Sequence, residues 1–255
     1  MRSGERPRWH IPAPAGGWGP PWPQAGELAQ AIPSQQWTLV GGLMVQVHAA
    51  RAGLPIARAT VDVDMVLHIE TGAATFSGVR DRLEQLGYLL RMPVGPGPAH
   101  RFVRGSEHVD VMVADNLAPA HRPTVAGRAV FAIPAGTSAL RKTVDCNIDL
   151  DGRTVQLSVP DVLGALVLKG AAFREDSRDR GRHLDDAAIL ACSIDNPVRE
   201  RVRMIGSDRR RVRYLANALV RADHPSWSVV PAAHRARGHA ALRVLAKDPP
   251  PLSPR

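Results

Sequence analysis

The chain has 255 residues, a formal net charge of +9 and a hydrophobic content of 44%. That is enough for one large or two small domains with a sizeable core, and too apolar for a disordered chain. No run approaches the ~20 consecutive apolar residues that span a bilayer, and no apolar leader follows Arg2, Glu5, Arg6 and Arg8, so a cytoplasmic protein is expected.

In chain order, residues 1–24 are crowded with Pro, Gly and Trp ("RPRWHIPAPAGGWGPPWPQAG") and read as a flexible extension. "ELAQAI" predicts a short helix and "QWTLV" a strand. Gly41 and Gly42 then turn the chain into a helix over 43–52. "ATVDVDMVLHI" predicts a strand, and "FSGVRDRLEQLGY" a helix with Val79, Leu83 and Leu86 on one face and Gly87 as its stop. "AHRFVRG" and "EHVDVMVA" read as an antiparallel pair, while "KTVDCNIDL" and "RTVQLSV" flank Asp151-Gly152, a hairpin turn. From Pro160, placed in a first helical turn, the pattern becomes helical: "PDVLGALVLKGAAFRE", "RGRHLDDAAILAC", "RERVRMI" and "RRRVRYLANALVRA". The expectation is a mixed α/β domain over 25–159, a helical domain over 160–230 and a basic tail over 231–255 that is flexible at its end, with room for a short basic helix before it, and nothing that repeats internally.

The stretch "LVGGLMVQVHAARAGLPIARATVDVDMVL" carries the chemistry. Side chains alternate across a strand, so Asp62 and Asp64 project from one face, about 7 Å apart. Two carboxylates on an otherwise apolar strand need a compensating cation, and neither has an obvious basic neighbour in sequence. A divalent metal supplies it; oxygen ligands suit Mg2+, with Mn2+ an alternative. Asp110, between Val109 and Val111, offers a third acid. The Gly-Gly turn before a helix lets a phosphate approach the helix N-terminus, and metal ions can stabilise attacking and leaving oxygens. Other motifs fail. "GTSALRKT" has Arg141 where a P-loop needs Gly. "NIDLDGRTVQLS" ends on Ser158 where a calcium loop needs Glu. The histidines have no zinc spacing, and Cys146 and Cys192 read as reduced thiols.

The motif "LVGGLMVQVHAARAG…RATVDVDMVL" resembles the signature of the minimal nucleotidyltransferases, nearest the AbiEii/AbiGii-type toxin branch. The later "VPDVLGALVLKGAAFRE…RGRHLDDAAIL" is similar to that branch's second half, so the resemblance covers residues 26–192. It implies a polymerase-β-like mixed-sheet domain followed by a helical domain, with an NTP bound between them. It further implies that Gly41 and Gly42 cradle phosphates, that Thr60 lies near them, and that Asp62, Asp64 and Asp110 hold Mg2+. Lys169 would meet the triphosphate from the helical half, with Asp186 orienting it. On that view Lys169→Ala weakens NTP binding and leaves the melting temperature near wild type. His183 stands where branch members often carry Asp, and Asp185 leaves the acid uncertain by one residue. On residues alone, Lys169 also fits a snorkelling helix lysine and Asp186 a surface helix acid.

The implied reaction moves a nucleoside monophosphate from an NTP to a hydroxyl. The resembling toxins modify nucleic acid such as tRNA, which fits the positive balance and the "RRRVR" run at 209–213, although that run reads equally as a solvated helix face. A cognate antitoxin would then be a partner. The alternatives are a small-molecule (antibiotic) nucleotidyltransferase and a non-catalytic nucleotide-binding module; the intact set of three acids argues against the last.

Overall fold

The computed structural model describes residues 6–248. A six-stranded mixed sheet forms the centre. Its strands are β2 (Trp37–Leu39), β3 (Asp62–Leu67), β4 (Leu89–Arg91), β5 (Arg101–Arg104), β6 (Glu107–Ala114) and β9 (Ala132–Ile133), the last named after the two-stranded ribbon β7 (Thr124–Val125) and β8 (Arg128–Ala129). The order is β2-β3-β6-β5-β4, with β9 beside the end of β6. At its middle β3 and β6 run parallel, with Val63, Met65, Val109 and Val111 filling the buried face. A second sheet joins β1 (Arg8–Ile11) to the hairpin of β10 (Thr143–Leu150) and β11 (Arg153–Pro160). Asp151 and Gly152 turn that hairpin with φ of +48° and +77°, as a two-residue turn of the predicted kind requires.

Helices α1 (Trp22–Ala31), α2 (Gly41–Arg51) and α3 (Phe76–Gln85) belong to the sheet half, and the short α4 (Gly136–Leu140) leads into β10. The remainder is helical: α5 (Val162–Glu175), α6 (Arg180–Cys192), α7 (Pro197–Val202), α8 (Asp208–Ala218) and α9 (Ala232–Ala246). A mixed α/β half followed by a helical half is the architecture expected. One apolar cluster runs through both halves, since Met44 and Val45 of α2 and Met112 of β6 pack with Leu166, Ile189 and Leu215. None of the helices among the described residues is long and apolar enough to cross a membrane.

Three local expectations differ. Residues 8–24 are not a flexible extension: Arg8–Ile11 pairs in parallel with Asp145–Ile148, and α1 starts at Trp22. The tryptophans anchor this segment, Trp18 donating to the Asp149 carbonyl at 2.9 Å and Trp22 to Gln46 Oε1 at 2.7 Å. Its prolines flank β1, at Pro7 and Pro12, and do not interrupt the strand's pairing. Most of the expected tail is α9, a helix of 15 residues where at most a short one was expected, and it buries Leu242 and Leu245. Gly238 is required there, because a Cβ would lie 2.5 Å from Cys192 Sγ and 2.9 Å from Trp227. Residues 1–5 and 249–255 of the two expected flexible ends lie outside the described residues. Pro160, finally, ends β11; Asp161 caps α5 instead, its carboxylate accepting from the Gly164 amide at 2.9 Å.

Candidate active site

Parallel pairing of β3 with β6 sets Asp64 directly beside Asp110 and puts Asp62 one residue pair further along the same face. Carboxylate oxygens of Asp62, Asp64 and Asp110 all lie within 4.8 Å of one another. Thr60 donates to Asp62 Oδ1 at 3.1 Å. Three hard oxygen donors converging at this spacing fit a divalent cation such as Mg2+ or Mn2+.

Asp64 lies against the start of α2. Its Oδ2 is 1.8 Å from where a Cβ on Gly41 would stand, and Gly41 has φ +69°. A Cβ on Gly42 would meet Thr60 at 2.8 Å. The glycines are thus needed for close packing of the helix start on the acidic strand. Among the described residues no side chain caps α2, whose N-cap is Val40, so its first-turn amides face the site without a side-chain acceptor, where the helix dipole favours an anion.

Burial, followed by the charges of Asp62 and Asp110, pushes the Asp64 carboxyl up to about 7. The folded chain therefore holds a proton that the unfolded chain, with an ordinary pKa of 3.8, releases. The stability this proton contributes is present at low pH and lost as pH rises from near 4 through 7. A divalent ion displaces the proton, so below pH 7 Mg2+ affinity should climb by up to about tenfold per pH unit and level off above. Calorimetry across that range reads it, and an affinity that stays flat below pH 7 contradicts it.

The opposite wall comes from the helical half. Lys169 on α5 pairs with Asp186 on α6 at 2.7 Å, and the Arg58 guanidinium reaches both Asp186 oxygens at 3.4 Å. Burial would raise the Asp186 carboxyl, but Lys169 and then Arg58 outweigh it and hold the group below the usual range. Both Lys169 and Asp186 are buried, so neither the snorkelling nor the surface reading applies. Asp185, not Asp186, is the acid that lies off the cavity. Gly41, Gly42, Thr60, Asp62, Asp64, Lys169 and Asp186 line one cavity of about 220 Å³, with Asp110 behind Asp62 and Asp64. His183 lines it too, 3.5 Å from Asp176; burial, then Lys169, lowers its pKa, so it is neutral at pH 7.

Arg101 is the residue that sequence reasoning missed. From β5 it grips Asp110 through Nε at 2.8 Å and Nη2 at 2.7 Å, with Nη2 also 3.7 Å from Asp62. The acids therefore do have a basic neighbour. The signal was present: the two-residue turn at Gly105-Ser106 pairs Arg104 with Glu107, and counting back places Arg101 opposite Asp110. Arg58, Asp176, Asp179 and Arg182 also line the cavity. The "RRRVR" run is largely engaged within the fold. Arg209 donates to the Lys247 carbonyl at 2.6 Å, Arg213 pairs with Asp248 at 2.6 Å, and Arg211 lies 3.8 Å from Asp115. Nor does "GTSALRKT" form a phosphate loop: it builds α4, and Lys142 pairs with buried Asp208 at 2.9 Å.

No family model matches the chain, and no curated protein matches it. Among solved structures it is similar to the crystal structure of an antigenic nucleotidyltransferase-like protein from Paracoccidioides brasiliensis. The two share 17% identity over 66% of this chain and 74% of that one, with a TM-score of 0.41.

Proposed function

We propose that the protein transfers a nucleoside monophosphate from an NTP to a hydroxyl acceptor and releases pyrophosphate. The observation that carries this reading is the polarity of one cavity. Its strand wall bears Asp62 and Asp64, facing them are Lys169 of α5 and the Arg58 guanidinium from the segment before β3, both held by Asp186, and the uncapped N-terminus of α2 opens onto it. A metal-bound triphosphate has that same division of charge.

Asp62 and Asp64 would hold Mg2+, with Asp110 completing the acidic wall and Thr60 orienting Asp62. A bound divalent ion supplies neutralisation of phosphate charge and activation of the acceptor hydroxyl. Backbone amides at Gly41 and Gly42 would receive phosphate oxygens, and Lys169, positioned by Asp186, would meet the triphosphate as a point charge. The acceptor oxygen attacks the α-phosphorus, the bond to pyrophosphate breaks, and the hydroxyl proton leaves to a carboxylate or solvent. Positioning and charge neutralisation do most of the work in such transfers.

RNA is the acceptor this reading favours, since the net charge of +9 steers a polyanion. The arginines of α8 add little to that, being engaged within the fold. The resemblance to the AbiEii/AbiGii branch suggests a toxin, and its antitoxin would be encoded in a neighbouring reading frame. The protein would be incubated with total tRNA, Mg2+ and each α-labelled NTP in turn. Label is expected on RNA with wild type and to vanish with Asp64→Ala. Label on a hydroxylated antibiotic in place of RNA moves the acceptor to small molecules. NTP binding without transfer to either leaves a nucleotide-binding module.

A further inference from the structure

The acidic cluster already contains a cation. Arg101 is set opposite Asp110 by strand register, so its place is dictated by the backbone of β5 and β6. Its guanidinium takes both Asp110 oxygens in a fork, at 2.8 and 2.7 Å, and its Nη2 leans on Asp62 at 3.7 Å. Asp110 is only 8% exposed, which leaves little room for a second cation to reach its remaining lone pairs. Asp64, by contrast, receives no hydrogen bond from the described residues and feels its neighbours only as charges. The three acids are thus unequal: one saturated by a guanidinium, one partly engaged, one free.

We propose that Arg101 stands in for a second metal ion, so that the site binds a single divalent cation on Asp62 and Asp64 while Asp110 stays with Arg101. This rests on the reading of the three acids as a metal site. Charge agrees with it. One guanidinium against three carboxylates leaves a deficit of two charges, which one divalent ion fills. A second ion at Asp110 would sit in contact with the guanidinium, which repels it. A bidentate Arg–carboxylate pair is also the strongest of the common ion-pair geometries and does not yield readily to a hydrated cation. Asp110 then acts as a positioning residue. It fixes Arg101, which holds Asp62 at the angle that shares an ion with Asp64.

The test is a count of bound Mn2+ by electron paramagnetic resonance on the full chain. Site-bound ions are those lost in Asp62→Asn/Asp64→Asn, whose count corrects for ions elsewhere. Wild type is expected to bind one. Arg101→Ala is expected to bind two, and Arg101→Ala/Asp110→Asn to return to one. Two ions in wild type overturn the proposal alone, as does a single ion in a folded Arg101→Ala. No ion in wild type overturns it together with the metal reading beneath it. Thermal melts accompany each variant, and Arg101→Gln replaces Arg101→Ala if the latter does not fold. If neither folds, the wild-type count decides by itself.

Discussion

Gly41→Ala is expected to abolish Mn2+ binding and nucleotidyl transfer and to lower the melting temperature. Two independent effects converge at this position. Its φ of +69° lies in the left-handed region, where an alanine is disfavoured by about 1–2 kcal/mol. The added Cβ would also stand 1.8 Å from Asp64 Oδ2, 2.6 Å from Cγ and 2.9 Å from Cβ. Rotating the Asp64 side chain relieves the first two contacts and leaves the third, so either β3 or the start of α2 must move. Each such movement separates the Asp62 and Asp64 carboxylates from the helix amides. Gly42→Ala provides the contrast. Its Cβ would press on Thr60 at 2.8 Å and on the Arg58 guanidinium at 3.1 Å, without a left-handed backbone, so a smaller loss is expected. Metal titration, label transfer and thermal melts of the two variants side by side read the difference. Wild-type Mn2+ affinity in Gly41→Ala would falsify the close-packing account.

The strand-borne part of this site was legible because strand geometry has a period of two. Asp62 and Asp64 share a face wherever the strand goes, and the apolar alternation around Asp110 marks a strand with Val109 and Val111 on the face opposite the acid. Pairing partners were legible where a tight turn fixes register, as at Gly105-Ser106 and Asp151-Gly152. Contacts between distant segments were not. Nothing in "RWHI" indicates that it will lie along Asp145–Ile148, more than a hundred residues on, and the prolines and glycines around it argue for a loop unless a partner edge is known. The helix α9 has the same difficulty: what orders it is the fit of Gly238 against Cys192 and Trp227, which belong to other elements. Local pattern likewise marked Lys169 and Asp186 as helix residues without saying that their helices pack face to face.

That packing reverses one expectation. Lys169→Ala should destabilise the protein as well as weaken NTP binding. Lys169 and Asp186 are 7% and 1% exposed and pair at 2.7 Å. Removing one member of a buried pair leaves an uncompensated charge, typically worth about 3–5 kcal/mol. Arg58 still reaches Asp186, at 3.4 Å through two nitrogens, so the loss should fall toward the lower end of that range. For a chain of this length it would lower the melting temperature by several degrees. The single variant therefore cannot separate a structural lysine from one that meets a triphosphate. Lys169→Met/Asp186→Leu can. Replacing both members by apolar groups of similar volume is often neutral for stability, and Arg58, which also loses Asp186, has a side chain 24% exposed that can turn to solvent, so this variant should melt near wild type. Binding of a non-hydrolysable NTP should nonetheless fall, because the helical wall has lost its ammonium, and loss of one charge-assisted phosphate contact is worth about 1.5–3 kcal/mol, or roughly 10- to 150-fold in Kd. A double variant that melts like wild type and binds NTP like wild type would confine Lys169 to holding α5 against α6.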